Sequence, residues 1–173
     1  WYALKTAPET REDFSFFLYG DSRSGEDKHQ KIIELIRAAH IQDPGRFIVH
    51  TGDMVTNGYE EWRWQEKFFR PIGDLFASLP ILPTLGNHEL NQVQYFNYFQ
   101  METPHSYYAR RYGDVEFFSI NSNIDYAPES PQYKWLQTAL AESTALWKIA
   151  FLHHPPYSCA KQRKPGDLKV REH

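Results

Sequence analysis

Apolar and polar residues follow one another along this chain in short blocks whose period switches between that of a strand and that of a helix. Residues 14–19 form an aromatic-rich run closed by Gly20, as expected of a strand feeding a loop. From Lys31, the residues Ile32, Leu35, Ile36 and Ala39 recur at helical spacing until Asp43-Pro44-Gly45 breaks the pattern, and residues 46–50 then predict a second strand. A longer helical pattern from Tyr59 puts Trp64, Phe68, Ile72, Leu75 and Leu79 on one face, with a bend expected at Pro71. Residues 81–84 predict a short third strand and 93–101 an aromatic helix. After a turn at Pro104, residues 106–110 and 115–120 alternate like paired strands, and a helix over 132–140 leads into a strand over 147–152. This alternation predicts an α/β sandwich with its ligands at the carboxyl ends of strands.

Short polar clusters stand where these hydrophobic segments end. They read Gly20-Asp21-Ser22-Arg23, Gly52-Asp53-Met54-Val55-Thr56-Asn57-Gly58, Gly86-Asn87-His88-Glu89 and His153-His154-Pro155-Pro156. Carboxylate, amide oxygen and imidazole are the ligands that hard and borderline divalent cations accept. Taken singly, Asp21 and Asp53 are equally readable as turn formers beside glycine, and Asn87 as a helix cap. Their joint order is what favours chemistry.

In that order the clusters resemble the calcineurin-like metallophosphoesterase superfamily, in its purple-acid-phosphatase-like branch, over Asp21 to Tyr157. The resemblance implies a metallophosphoesterase-type α/β sandwich and two metal ions (Zn, Mn or Fe) bridged by Asp53, with Asp21 on the first and Asn87 and His153 on the second. It implies that His88 protonates the leaving oxygen. His153 is selected over His154 by its spacing to proline, since neighbours on a strand point to opposite faces. His154 and Glu89 are then expected to orient ligands, and Asn57 and Tyr157, in loops beside them, to line the substrate cleft.

Two positions depart from the pattern: Arg23 stands where a metal-binding His is usual, and Thr56 where purple acid phosphatases have a metal-binding Tyr. A guanidinium offers only donors, so Arg23 is expected to bind substrate phosphate rather than metal. The Gly-His-x-His block of the superfamily is missing, and residues 1–13 resemble the end of a preceding fibronectin-like domain or a linker, with the catalytic domain over 14–173. The chain therefore reads as an internal, truncated piece of a longer enzyme.

Composition narrows the substrate. With 173 residues, 41% hydrophobic and 16% aromatic, the chain is long and apolar enough for one globular domain. A formal net charge of −3 disfavours nucleic acid and favours a small phosphorylated substrate. The single Cys159 reads as a free thiol, and no run is long enough for a membrane span. His29, His40, His50 and His105 lack partner spacing and read as surface or packing residues. The leading expectation is metal-dependent phosphomonoester hydrolysis. The rivals are a phosphodiesterase or nuclease of the same superfamily and a metal- or phosphate-binding module without turnover. A secreted or periplasmic location follows only from the resemblance.

Overall fold

The computed structural model describes residues 5–8, 11–101, 106–161 and 165–172, so the turn expected at Pro104 lies outside the described residues. Two three-stranded sheets organise these residues. In the first, β1 (Phe17–Tyr19), β2 (Ile48–His50) and β3 (Ile81–Pro83) run parallel in that order, with Phe17 opposite Ile48 and Ile48 opposite Ile81. In the second, β4 (Tyr108–Tyr112) pairs antiparallel with β5 (Val115–Ser119), which pairs parallel with β6 (Trp147–Phe151). Parallel neighbours need crossovers, which the helices Glu26–Gln42 and Pro131–Glu142 and a helical run over 61–77 supply.

The alternation of side chains on β2 makes the layers. Ile48 joins Ile33, Ile36, Trp64, Phe68 and Leu75 beneath the helices, while Val49, with Phe47, joins Phe117 and Phe151 of the second sheet. The first sheet thus lies between helices and the second sheet. Phe16 stacks on Phe47 at 5.5 Å, and both meet the Phe117 ring edge-on at 5.2 Å. The carboxyl ends of the sheets are tied together as well. Tyr108 Oη donates to the Pro83 carbonyl at 2.7 Å, and Thr84 Oγ1 donates to that of Ile120 at 3.0 Å.

The helices differ from expectation in two ways. The first begins at Glu26 and buries His29, Ile33 and Ile36, leaving Leu35 and Ala39 exposed. The face is rotated because His29 is drawn inward, bonded to Tyr19 Oη at 3.4 Å and to the Lys67 carbonyl at 3.2 Å. The second contains a π-helical turn at Trp64–Phe69, in which the Arg70 N–H reaches the Gln65 carbonyl. The α-helical piece that carries Pro71 ends at Ile72, where Gly73 turns to φ 56°, and a 3-10 helix follows at Gly73–Ala77. Of the N-terminal segment, the Thr6 carbonyl accepts from Tyr112 Oη and Arg11 pairs with Asp114, which lays it along the β4–β5 hairpin.

Candidate metal centre

Each polar cluster occupies the loop leaving the carboxyl end of a strand. Asp21, after β1, and Asp53, after β2, both adopt left-handed backbone (φ 54° and 58°), a conformation that non-glycine residues hold only when the surroundings enforce it. The enforcement is visible. The Asp21 N–H donates to the Gly52 carbonyl at 2.9 Å, the Arg23 N–H to that of Asp53 at 2.8 Å, and Thr56 Oγ1 to that of Arg23 at 3.1 Å. The loop after β3 packs so closely that a methyl group on Gly86 would overlap the Asp53 backbone and carboxylate.

Beneath these loops lies Glu89, wholly buried. It accepts four backbone N–H groups, from Met54 (2.8 Å) and Val55 (3.2 Å) at Oε1 and from Asp53 (2.9 Å) and Gly86 (2.7 Å) at Oε2. Burial pushes its carboxyl up to about 7; the Val55, Gly86 and Asp53 N–H groups pull the other way, and the Asp53 charge adds to the rise. With donors on both oxygens, Glu89 fixes the loops that carry Asp53 and Asn87.

The structure brings Asp21, Asp53, Asn87 and His153 together. One ligand atom from each of Asp21, Asp53 and His153 lies within 4.8 Å of the others. His153 Nδ1 stands 2.9 Å from the Thr51 carbonyl, which can only accept, so the proton of the neutral ring sits on Nδ1 and Nε2 carries a lone pair. That lone pair points at Asn87 Oδ1 (3.2 Å) and Asp53 Oδ1 (3.5 Å). Three acceptors converge with no hydrogen between them, in side chains of which Asp53 is 3% and His153 8% exposed. A cation among them, a proton on Nε2 or a turned Asn87 amide relieves this, and N/O donors of this kind suit a divalent metal.

Around that point the remaining groups take distinct places. The His88 N–H donates to Asp53 Oδ1 at 3.1 Å, and its Nδ1–H donates to the Thr56 carbonyl at 2.8 Å, so the lone pair of the neutral ring is on Nε2. Arg23, expected to face substrate, donates from Nε to Asp53 Oδ2 at 2.8 Å. Asn57 is turned to Glu60 (2.7 Å) and Tyr157 is exposed under the Arg171 guanidinium (4.1 Å to the ring centroid); neither joins the cluster. His154 bonds Ser122 Oγ at 2.8 Å.

Sequence reasoning passed over the groups that hold the imidazoles. The Thr51 and Thr56 carbonyls fix His153 and His88, and no side-chain signal marks a backbone acceptor. Behind the centre, His50 is completely buried, accepting the Gly52 N–H at Nδ1 (3.1 Å) and donating from Nε2 to Ser22 Oγ (3.1 Å). Burial, with the nearby His29 and His153, holds it down to about 3. Its position directly after the apolar run Phe47-Ile48-Val49 was the available clue.

Residues 14–172 match the family model described as calcineurin-like phosphoesterase. The chain belongs to this family. Purple acid phosphatase 22 of Arabidopsis thaliana is 26% identical over 192 residues, covering 99% of this chain and 42% of that protein. Probable purple acid phosphatase 20 of the same plant is 28% identical over 127 residues, 62% of this chain and 30% of its own length. Among solved structures, purple acid phosphatase PPD1 from yellow lupin (Lupinus luteus) seeds superposes with a TM-score of 0.70 at 16% identity, over 96% of this chain and 34% of that one. GAP50, the anchor in the inner membrane complex of Plasmodium, gives 0.65 at 14% identity over 92% of this chain and 60% of its own. The chain spans less than half the length of these plant relatives. No described helix is long and apolar enough to cross a membrane.

Proposed function

We propose that this chain carries the metal centre of a phosphoester hydrolase that acts on small phosphate monoesters. The observation that supports this most is the convergence of Asp53, Asn87 and His153, with Asp21 in reach, at the strand ends of a calcineurin-like fold. Asp21, Asp53, Asn87 and His153 would hold the metal. When bound, such a metal polarises a phosphoryl oxygen and lowers the pKa of a coordinated water. His88, with Nδ1–H anchored on the Thr56 carbonyl, presents Nε2, which would hand a proton to the leaving oxygen when the ring carries a second proton there. Arg23 spends Nε on Asp53, so only its terminal nitrogens remain to bind a phosphate oxygen. The formal charge of −3 weighs against nucleic acid and other long polyanions as substrates.

The test is turnover of a monoester and a diester of p-nitrophenol by the full-length metal-loaded protein. A monoester preference that disappears in Asp53→Ala supports the reading; a diester preference moves it to the phosphodiesterase or nuclease branch. One observation favours a binding module without turnover: Arg23 already pairs with the carboxylate expected to bridge two ions. That reading predicts metal or phosphate uptake by calorimetry with no hydrolysis of either ester.

A further inference from the structure

Asp53 has two carboxylate oxygens, and the structure commits them to different partners. Oδ1 faces His153 Nε2 at 3.5 Å and belongs to the acceptor cluster with Asn87. Oδ2 accepts the Arg23 guanidinium at 2.8 Å. An ion bridged by Asp53 on the Oδ2 side would therefore have to enter where a positive charge already stands. That charge cannot be given up, because a guanidinium stays protonated at any working pH.

Nor is Arg23 hung on a mobile loop. Its N–H donates to the Asp53 carbonyl at 2.8 Å, and its own carbonyl accepts Thr56 Oγ1 at 3.1 Å. The backbone on both sides of the side chain is thus pinned to the loop it neutralises. Its side chain is 27% exposed and that of Asp53 3%, so the pair is largely withdrawn from solvent.

The ligands divide in the same way. Asp21, Asp53 and His153 offer atoms within 4.8 Å of one another, and Asn87 Oδ1 stands 3.2 Å from His153 Nε2. Opposite ligand atoms on one zinc-sized ion are at most about 4.3 Å apart, so Asp21, Asp53 and His153 would have to draw inward to share one ion, with Asn87 beside His153. Asp21, Asp53 and His153 are the one such group of His, Cys, Asp and Glu among the described residues.

We infer that the centre takes a single divalent cation, held by Asp21, Asp53, Asn87 and His153, and that the Arg23 guanidinium takes the place of the second cation. This rests on reading the cluster as a metal centre, and it departs from the two ions that the sequence resemblance implies. Phosphate would then lie between the ion and the terminal nitrogens of Arg23.

The experiment is metal titration of the chelator-stripped full-length protein with Mn2+ alone. Binding is followed by calorimetry and elemental analysis, and the ion's environment by electron paramagnetic resonance. One ion per chain, with the six-line spectrum of an isolated Mn2+, is expected. Arg23→His should admit a second ion and give a spin-coupled spectrum, with its melting temperature checked to show that it folds. Two ions of similar affinity in the unmodified protein overturn the inference while leaving the hydrolase reading intact. No binding at all overturns both. One ion in the unmodified protein and still one in a folded Arg23→His removes Arg23 as the reason.

Discussion

Replacing Glu89 tests whether the loops of the centre are held by one carboxylate. Its four N–H partners belong to Asp53, Met54, Val55 and Gly86, and the side chain is inaccessible to solvent. In Glu89→Ala every one of these donors loses its acceptor. A buried donor left unsatisfied costs about 1–3 kcal/mol, so the lower end for four is about 4 kcal/mol, reduced by whatever water enters the vacated space. Glu89→Gln keeps the volume and one oxygen but turns an NH2 toward two of the donors, which predicts about 2 kcal/mol. Set against a total stability of about 5–15 kcal/mol, the alanine variant should be severely destabilised and the glutamine variant measurably so. Urea unfolding followed by tryptophan fluorescence reads both values. A loss below about 1 kcal/mol in both variants would refute the reasoning, since it would mean that the four N–H groups find other partners at no cost.

Asp53→Ala should cost more activity and metal affinity than replacement of any other member of the cluster, by more than about 100-fold, because it takes a ligand, the partner of Arg23 and the acceptor of the His88 N–H at once. Near-normal turnover with metal bound would contradict its place at the centre. Metal-loaded protein should have no visible tyrosinate band, since Thr56 carries no phenol and its hydroxyl is spent on the Arg23 carbonyl; an absorption spectrum decides it. His50 should make the fold acid-sensitive. Its folded value of about 3 lies below the unfolded value of about 6.5, so the unfolded chain binds the proton first and stability is lost as pH falls through that window. The loss between about pH 7.5 and about pH 5 is about 2 kcal/mol, and His50→Asn should flatten that part of the urea-midpoint profile. An unchanged profile in the variant would clear His50 of the effect.

How much of this was legible in the sequence depends on the range of the interaction. The face Trp64, Phe68, Ile72, Leu75, Leu79 is buried as its spacing predicts. The first two intervals of four residues exceed the ordinary helical repeat, and the wider π-helical turn keeps those side chains in line. Beside Pro71, where a bend is expected, the α-helical piece ends at Ile72 and Gly73 turns to φ 56°. Leu35 was misread for a different reason: the period alone does not say which of two neighbouring stripes faces the sheet, and the pull of Tyr19 on His29 settles it. The four acids, amides and imidazoles could be found because each ends a hydrophobic block. The Arg23–Asp53 pair could not, since it joins residues 30 positions apart with no shared period.

That pair also sets the electrostatics of the whole centre. Two aspartates and one arginine leave a charge of −1 among Asp21, Arg23 and Asp53, which a single divalent ion turns to +1, enough to draw in a phosphate dianion. A second divalent ion on the Oδ2 side would sit about 4 Å from the guanidinium. At an effective dielectric constant of about 20, the repulsion there is about 8 kcal/mol, more than the loss of the Arg23–Asp53 contact alone would add. A histidine in place of Arg23 would shed its proton and become a ligand as the ion arrived; an arginine has no such exit. On the one-ion proposal, Arg23 therefore stands as a fixed positive charge where a second ion would otherwise sit. Under the one-ion proposal, the share of phosphoryl stabilisation that Arg23 supplies would not depend on metal supply, which is the physical basis for expecting one ion rather than two.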